Sequence, residues 1–510
     1  MIDTTLDKIK SIDELSKIVA GLKGKGKEVV LCHGVFDIVH LGHIRHFNLA
    51  KKEGDILVVS TTSDQHVKRG PGRPFFNENL RAETLASLQI TDYVCIIDAP
   101  TATDFIKALK PDVYVKGSEY KQKEKDVTGM IYEEEEAVKS IGGRLAFTDD
   151  ITFSSSSIIN SQLDTFPPRT VKYLKAISKR YTIDYIVNAI KGLNKLKVLV
   201  IGDAIIDEYH YCTPMGRSSK AEVIVNKYKS EEIFAGGALA TANNVASVCE
   251  NVDLITVLGA ENTYQDFIES KLSKKINPLF YYRNDTGTTV KRRFVSNETL
   301  RKQFQICYMN DTDIPKREET RIIKQLTKVI DKYDLVVVSD FGHGFLTERI
   351  RQILCEKSKY LALNVQTNSA NAGFNLVTKY RHANCVCIDE MELRYAAHDR
   401  FGDVRDLSKK IYEQIGCEHI IATRGPAGSI CYSKAHGFHE TPAFSDKVID
   451  PIGAGDAFFA FIAPCFAAGL PQEVVSFIGN AVGSLACQIV CNRDSVDSVD
   501  LIKFITRLLK

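Results

Sequence analysis

Short apolar runs alternate with amphipathic stretches along most of this chain, and the alternation predicts strands followed by helices. In the N-terminal third, the strand-like runs cover residues 28–32, 55–60, 93–97 and 113–116. Helical patterns lie between them at residues 43–52, 79–88 and 103–109. This order predicts an α/β fold in which helices cover both faces of a parallel sheet.

The second, longer region repeats the pattern. Strand-like runs cover residues 197–201, 335–339, 360–363, 385–388 and 419–422. A β excursion at residues 222–234 is a candidate lid. We predict one domain at residues 1–162, a linker at 163–195 that contains Pro167 and Pro168, and a second α/β domain at 196–510.

Composition narrows the class of protein. The 510 residues include 66 basic and 64 acidic side chains, a net charge of +2, which argues against a nucleic-acid partner. Residues 1–27 lack a targeting pattern, and no apolar stretch reaches about 18 residues, so we expect a cytoplasmic protein without membrane spans. None of the 13 cysteines forms a pair with zinc-site spacing, and we expect reduced thiols.

The first chemical motif runs from His33 to His43, between a strand and a helix. Gly34 permits a tight turn, Gly42 leaves room for a ligand, and helix N–H groups favour an anion there. His40 and His43 can both donate hydrogen bonds to charge that develops on an α-phosphate. Without further motifs, two histidines on a helix face, or metal ligands, explain the pattern equally well.

Further blocks make the stretch resemble the cytidylyltransferase-like family, which has a Rossmann-like fold. They are a basic glycine-rich loop at residues 68–74, a helix start at 79–83, a lysine at the end of a strand at 112–117 and a serine run at 153–159. The resemblance implies catalytic roles for His40 and His43. It implies nucleotide or phosphate binding by Gly34, Phe36, Asp37, Gly42, Lys68, Arg69, Arg81, Lys116, Ser154, Ser155, Ser156 and Ser157. Taken singly, the serines also suit a helix N-cap and the cations a solvated surface.

The second motif is Asp450-Pro-Ile-Gly-Ala-Gly-Asp-Ala-Phe458. The N–H groups near Gly453 and Gly455 can converge on a phosphoryl group at a helix start. Asp456 is placed to accept the proton of an attacking hydroxyl. A glycine-rich turn capped by aspartate is the alternative interpretation.

This segment resembles the ribokinase/PfkB sugar kinases, in which the aspartate matching Asp456 is the general base. The resemblance implies sugar binding by Asp203, Asp207, Gly236 and Gly237. It implies that the ATP and anion site contains Asn364, Glu392, Thr423, Gly425, Gly428, Gly453, Ala454, Gly455 and Asn480. Glu392 is also the candidate residue for organising Mg²⁺.

Three positions depart from the kinase pattern. Ala240 stands where the family often has asparagine, Asp389 replaces the asparagine of an Asn-x-x-Glu motif, and 364–366 read Asn-Val-Gln where heptose kinases have Asp-Pro-Lys. A lost asparagine removes a donor and an acceptor from a sugar site. The departures leave the sugar, and the activity of the kinase domain, open.

Together the two resemblances predict a bifunctional enzyme of nucleotide-sugar synthesis. Both domains resemble halves of the bacterial bifunctional heptose enzymes, although there the kinase comes first. We expect a kinase that phosphorylates a sugar or a heptose-7-phosphate-like sugar phosphate, and a nucleotidyltransferase that makes an ADP-heptose-like product. Mg²⁺, ATP or CTP in the first domain, small-molecule substrates and a homodimer or larger homo-oligomer are expected. The alternative is a CTP-dependent polyol- or sugar-phosphate cytidylyltransferase with an inactive or merely ligand-binding kinase-like domain.

Overall fold

The computed structural model describes residues 5–67, 70–117, 130–148, 166–445 and 447–510. The predicted phosphate-binding residues Lys68, Arg69 and Ser154 to Ser157 lie outside the described residues. The chain divides into two compact units. The first comprises Met1–Pro167 together with Ile502–Lys510, and the second comprises Pro168–Leu501.

The first unit is a parallel α/β sandwich. Its strands are β1 (Val29–Gly34), β2 (Ile56–Thr62), β3 (Tyr93–Ile97), β4 (Val113–Gly117) and β5 (Arg144–Thr148). Its helices are α1 (Ile12–Lys23), α2 (Leu41–Lys51), α3 (Glu78–Ala86), α4 (Thr103–Leu109) and α5 (Met130–Ser140). The strands lie in the order β3-β2-β1-β4-β5, and all neighbours pair in parallel. The α/β prediction is therefore confirmed for this unit.

The central strand explains why helices cover both faces. Val29, Val30, Leu31 and Cys32 of β1 are all fully buried, although successive side chains point to opposite faces. Leu31 belongs to one apolar cluster and Cys32 to the other. A strand that is apolar on both faces needs helices on each side of the sheet to bury it. The carboxyl end of β1 leads directly into the histidine motif.

The described part of the predicted linker, residues 166–195, is mostly helical. It forms α6 (Pro168–Arg180) and α7 (Ile183–Gly192), which belong to the second unit. The Tyr173 hydroxyl lies 3.2 Å from Thr441 Oγ1, so α6 is held to the edge of that unit's sheet. Pro168 starts the first turn, where a missing N–H is tolerated.

The second unit begins with β6 (Lys197–Gly202) and is built on a nine-stranded sheet in the order β10-β9-β6-β13-β14-β15-β16-β17-β18. A separate four-stranded sheet has the order β12-β11-β7-β8. The remaining strands are β7 (Ala204–Arg217), β8 (Ile224–Gly237), β9 (Asn251–Gly259), β10 (Ile276–Arg283), β11 (Thr289–Ser296), β12 (Lys302–Tyr308), β13 (Leu335–Asp340), β14 (Leu361–Val365), β15 (Cys385–Asp389), β16 (His419–Thr423), β17 (Ser429–Ser433) and β18 (Gly437–Thr441). The helices are α8 (Ala238–Ala246), α9 (Gln265–Lys271), α10 (Lys316–Val329), α11 (Glu348–Lys357), α12 (Glu390–Ala397), α13 (Val404–Ile415), α14 (Ala454–Ala467), α15 (Gln472–Ala486) and α16 (Ser498–Leu509).

The small sheet, which we call the lid sheet, is larger than the sequence pattern indicated. The predicted excursion at 222–234 corresponds to β8, and it pairs with the long strand β7, which pairs in turn with β11. All 13 cysteines are free thiols. Within the described ranges, no helix combines the length and apolar character needed to cross a bilayer.

Candidate active sites

The turn after β1 is shaped by a close approach between Gly34 and Phe36. Phe36 adopts a left-handed backbone with φ +47°, and a Cβ on Gly34 would lie only 3.0 Å from its ring. The Phe36 ring packs edge-on against His43 and Phe47, with each pair of ring centroids 5.2 Å apart. Glycine at 34 therefore lets Phe36 support the second histidine of the motif from below.

The two motif histidines lie together at the start of α2. Their rings are stacked, with centroids 3.9 Å apart. His40 is the N-cap, and its Nδ1 accepts a hydrogen bond of 3.1 Å from the Gly42 N–H. Burial lowers the His40 pKa, which favours the neutral ring. Because Nδ1 is an acceptor, the neutral ring carries its proton on Nε2, as a phosphate-binding donor requires.

Asp37 has a different environment from the ligand-binding one that the resemblance implied. Its buried carboxylate pairs with Arg73 Nη1 at 2.7 Å, and Asp37 Oδ1 also accepts the Phe75 N–H at 2.6 Å and the Phe76 N–H at 3.2 Å. Charge-assisted bonds of this kind hold a loop firmly. The geometry makes Asp37 an anchor between the histidine turn and the segment Gly70 to Phe76.

Arg81 is also turned toward protein. It is 1% exposed, and it makes five hydrogen bonds to protein oxygens. The acceptors are Val35 O, Thr61 Oγ1, Thr62 O, Asp64 Oδ1 and Phe76 O. A guanidinium has five N–H donors, so its hydrogen-bonding capacity is matched by this set. The structure thus argues against the predicted phosphate-neutralising role and places Arg81 as a brace beneath the turn.

Lys116 lies at the end of β4, as predicted, and its side chain is mostly buried. Its Nζ is 2.9 Å from Glu134 Oε2, and both side chains are at most 10% exposed. Burial, and next the Lys116 charge, hold the pKa of His33 at about 4, and the same two causes give His46 a pKa of about 4. His46 was not among the residues predicted for this site from the sequence, although it lies one helical turn after His43.

In the second unit, the acidic residues predicted to hold sugar lie at the carboxyl end of β6 and on β7. Asp203 Oδ2 accepts the Phe341 N–H at 2.8 Å, and burial raises the pKa of this carboxyl. Asp207 pairs with Arg293 of the lid sheet. A Cβ on Gly236 would overlap the Asp207 carboxylate, so glycine there permits the close approach.

The segment predicted to form an anion hole lies at the start of α14. Gly453 is its N-cap with φ +86°, and a Cβ on Gly455 would meet no atom within 4 Å. Ala454 is the first helical residue. Asp450 anchors this loop from below, because its buried carboxylate accepts hydrogen bonds from Tyr209 and Lys302. Open space above helical N–H groups suits a phosphoryl group.

Asp456 lies in the first turn of α14, facing Gln366. The Gln366 amide donates to Asp456 Oδ1 and also to Asn364 Oδ1, the latter at 2.8 Å. Burial raises the pKa of Asp456 to about 7. Two of the departures from the family pattern, Asn364 and Gln366, are thus in direct connection with the candidate base.

Glu392, the residue predicted to organise Mg²⁺, lies in the first turn of α12. Its two oxygens accept the Thr367 N–H at 2.8 Å and the Asp389 N–H at 3.0 Å, and burial raises its pKa to about 7. Asp389 and Glu392 form the capping box of α12. In the described part of the chain, no three potential ligands form a metal cluster. Since Mg²⁺ on nucleotides takes only one or two carboxylates, with waters and phosphates, Glu392 fits such a role.

The remaining predicted nucleotide residues flank β16 and α15. Thr423 ends β16, and Gly425 and Gly428 follow with φ +50° and +88°. Asn480 is buried and donates to Ser429 Oγ at 2.7 Å, so its amide is engaged within the protein. The structure therefore gathers the glycines at a sheet end, whereas Asn480 positions a neighbouring strand.

Lys291 on β11 was missed by sequence inspection. It is 8% exposed, and within the described ranges its Nζ makes no hydrogen bond or ion pair, although it lies 5.4 Å from the centre of the Phe341 ring. Burial lowers its pKa, while the charge of Asp207 opposes this. The two cations Lys291 and Arg293 alternate along one strand face, which is the signal that could have identified them.

The raised pKa of Asp456 predicts how kinase activity depends on pH. A general base works as carboxylate, so kcat/KM for phosphorylation should rise about tenfold from pH 6 to pH 8. The measurement is initial rate against pH with saturating nucleotide. Glu392→Gln is the control, because it removes the neighbouring carboxyl of similar pKa. Asp456 would be contradicted as the titrating base if kcat/KM of the wild type did not change with pH. It would also be contradicted if the rise of kcat/KM with pH disappeared in Glu392→Gln.

Comparison with known proteins assigns a family model to each of the two domains. Residues 31–161 match the cytidylyltransferase-like family model. The first unit's segment is 37% identical over 164 residues to bifunctional protein HldE of Trichlorobacter lovleyi, which covers 31% of this chain and 32% of that protein. HldE of Campylobacter concisus is 47% identical over 119 residues, 23% of this chain and 25% of the relative. The chain thus matches about a third or less of each relative's length.

The second unit has solved structural neighbours. Phosphofructokinase-2 from Escherichia coli in complex with potassium aligns with a TM-score of 0.51 at 14% identity, covering 62% of this chain and 100% of the neighbour. The same enzyme with substrates and products gives 0.51 at 13% identity. These likenesses show the ribokinase-like fold. Residues 195–496 match the model of the pfkB family carbohydrate kinases. The chain therefore belongs to the pfkB family of carbohydrate kinases and carries a cytidylyltransferase-like domain ahead of the kinase domain.

Proposed function

We propose that the protein activates a sugar by two reactions, phosphorylation by the second unit and nucleotidyl transfer by the first. When the acceptor already carries a phosphate, a separate phosphatase hydrolyses that phosphate between the two reactions and leaves the sugar 1-phosphate. The observation that carries the proposal is the presence, in one chain, of a stacked His40–His43 pair at a helix start and of Asp456 beside an open glycine loop. The histidine pair suits reaction at the α-phosphorus of a nucleoside triphosphate, and the Asp456 site suits transfer of the γ-phosphoryl group. The product we propose is an ADP-heptose-like nucleotide sugar.

In the kinase step, a sugar hydroxyl attacks the γ-phosphorus of ATP. The new oxygen–phosphorus bond forms as the bond to the β-phosphate oxygen breaks, ADP leaves, and the hydroxyl proton passes to Asp456. The N–H groups at Gly453 to Gly455 stabilise the charge of the transferring group. The carboxylates of Asp203 and Asp207 accept hydrogen bonds from the sugar hydroxyls.

An anionic acceptor is supported by Lys291. Lys291 is buried, and its Nζ has no ion-pair partner in the described residues. Burial lowers its pKa, and a bound anion beside it would stabilise the charged ammonium. This favours a sugar that already carries phosphate, such as a heptose 7-phosphate, over a neutral sugar.

In the nucleotidyl-transfer step, a phosphate oxygen of the sugar 1-phosphate attacks the α-phosphorus of the nucleoside triphosphate. The bond to the β-phosphate oxygen breaks, and pyrophosphate leaves. No protein nucleophile is required, so positioning and charge stabilisation provide the catalysis. His40, neutral and with its proton on Nε2, donates to the charge that develops on the α-phosphate, and His43 stacks beside it.

Magnesium is proposed for both sites, where it would neutralise and bridge phosphate oxygens. In the second unit Glu392 would orient it. Besides its bond to a backbone N–H, each oxygen of this carboxylate keeps a lone pair for a metal-bound water.

A second candidate function is favoured by Gln366, which occupies the lysine position of the heptose kinases and is bonded to Asp456. A base held this way could belong to a domain that binds ligand without transferring phosphate. The chain would then be a CTP-dependent cytidylyltransferase of a polyol or sugar phosphate.

The kinase proposal is tested by ADP formation. The purified chain is incubated with Mg²⁺ and ATP against matched pairs of neutral sugars and their phosphates, including heptose 7-phosphate, and products are identified by mass spectrometry. We expect ADP and a sugar bisphosphate only with phosphorylated acceptors. If none of the acceptors supports ADP formation, the second candidate function is favoured.

A further inference from the structure

The last nine residues of the chain belong to the first unit, far in sequence from the rest of it. Helix α16 ends the chain, and from Ile502 onward it is part of the unit that contains the histidine motif. Its buried side chains include Phe504 at 0% and Arg507 at 5% exposure. A buried arginine must be compensated by hydrogen bonds or aromatic faces, and its contacts show what it serves.

Both side chains contact the start of the segment Gly70 to Phe76. Gly70 has φ +85°, and a Cβ there would overlap the Phe504 ring. Arg507 Nη1 donates a hydrogen bond of 2.8 Å to Pro71 O. The Arg507 guanidinium also lies over two rings, 5.4 Å from the centre of Phe504 and 5.8 Å from that of Phe166. The three groups are packed closely: the Phe504 ring occupies the space that a Cβ on residue 70 would fill, and the Arg507 guanidinium covers the same ring.

The other end of the same segment is bonded to the histidine turn. Arg73 pairs with Asp37, and Asp37 also accepts the N–H groups of Phe75 and Phe76. Asp37 lies three residues before His40. A continuous chain of contacts therefore runs from the C-terminal helix through Gly70 to Phe76 and Asp37 to the turn that presents His40.

We propose that the C-terminal end of α16 is a positioning element of the nucleotidyltransferase site, with Phe504 and Arg507 fixing the segment Gly70 to Phe76. These residues touch no substrate. They act through Asp37 by holding the histidine turn in one geometry. The proposal rests on nucleotidyl transfer as the function of the first unit.

The test compares three variants in the full chain. Arg507→Met keeps an apolar contact with the two rings but removes the donor to Pro71 O, and Arg507→Lys restores a donor. Thr506→Ala is the matched control, because among the described residues the Thr506 hydroxyl bonds within its own helix, to Ile502 O at 2.7 Å. Three quantities are measured: kcat and KM for pyrophosphate release, the kinase rate, and hydrogen exchange at the Phe75 and Phe76 amides.

For Arg507→Met we expect kcat for pyrophosphate release to fall about 10- to 100-fold, because small displacements of catalytic groups have effects of this size. Exchange at the two amides should accelerate, while β1 and β2 stay protected and the kinase rate stays at the wild-type value. Arg507→Lys should recover part of the loss, and Thr506→Ala should match the wild type.

Unchanged kcat and unchanged exchange in Arg507→Met would overturn the proposal. Loss of protection across β1 and β2 would also overturn it, because the helix would then hold the whole unit together and not this segment. If the wild type itself releases no pyrophosphate, the proposed function fails, whereas amide exchange still reports whether Arg507 holds the segment.

Discussion

Asp456→Asn is expected to reduce ATP-dependent sugar phosphorylation by about 10²- to 10⁴-fold, the usual contribution of a general base. The replacement is nearly isosteric, and its side-chain oxygen can still accept the hydrogen bond from Gln366. What it loses is the capacity to take the hydroxyl proton. The loss should appear in kcat, with a small effect on nucleotide KM, when ADP formation is measured at pH 8.

Two internal controls accompany this variant. Pyrophosphate release by the first unit should be unchanged, which excludes a general folding defect. Burial raises the Asp456 pKa, so the folded state binds the proton more tightly than the unfolded state and loses stability as pH rises above about 4. Asparagine removes this cost, and Tm at pH 8 should be no lower than in the wild type. A kinase rate within threefold of the wild type would exclude Asp456 as the base.

His40→Asn is expected to reduce nucleotidyl transfer by about 10²- to 10³-fold, as for removal of one donor to a developing oxyanion. His40 is also the N-cap of α2, and its Nδ1 accepts the Gly42 N–H. Asparagine is among the best N-cap residues, so this change removes the imidazole donor while it preserves the cap. His40→Ala should lose the same activity and, in addition, about 1 kcal/mol of stability.

The matched control is His66→Asn. His66 is a half-buried histidine of the same unit that lies outside the His33–His43 motif in sequence, and its Nε2 is 3.4 Å from Asp98 Oδ1. It should retain the wild-type rate of pyrophosphate release. Equal losses in the two variants would show that histidine replacement harms the unit generally, and an unchanged rate in His40→Asn would remove this residue from catalysis.

The sheets were predictable because their strands are apolar on both faces. The run at residues 93–97 matches β3, and the helix at 103–109 matches α4. Most of the lid sheet could not be predicted from the sequence. Strands β11 and β12 carry charged and polar residues, such as Arg292, whose partner Glu208 lies 84 residues away in the sequence. Their pattern contains no buried face that periodicity could detect.

The sites divide in the same way. The histidine turn and the glycine loop are local in sequence, and the structure places His40 beside His43 and Asp456 within the first turn of α14. Arg81 and Asp37 could be assigned only with the fold, because their partners lie elsewhere in sequence. The same holds for Gln366, which reaches Asp456 across 90 residues. The sequence indicated which groups are chemically able to act on phosphate, and the tertiary contacts show which of them are already bonded to other protein groups.

The most direct test of two-step sugar activation is pyrophosphate release by the purified chain with Mg²⁺. ATP and CTP are crossed against a panel of sugar 1-phosphates that includes heptose 1-phosphate, and products are identified by mass spectrometry. The account predicts release with ATP and heptose 1-phosphate, and an ADP-linked sugar as product. Release only with CTP and a polyol phosphate, with no sugar 1-phosphate accepted, would contradict it.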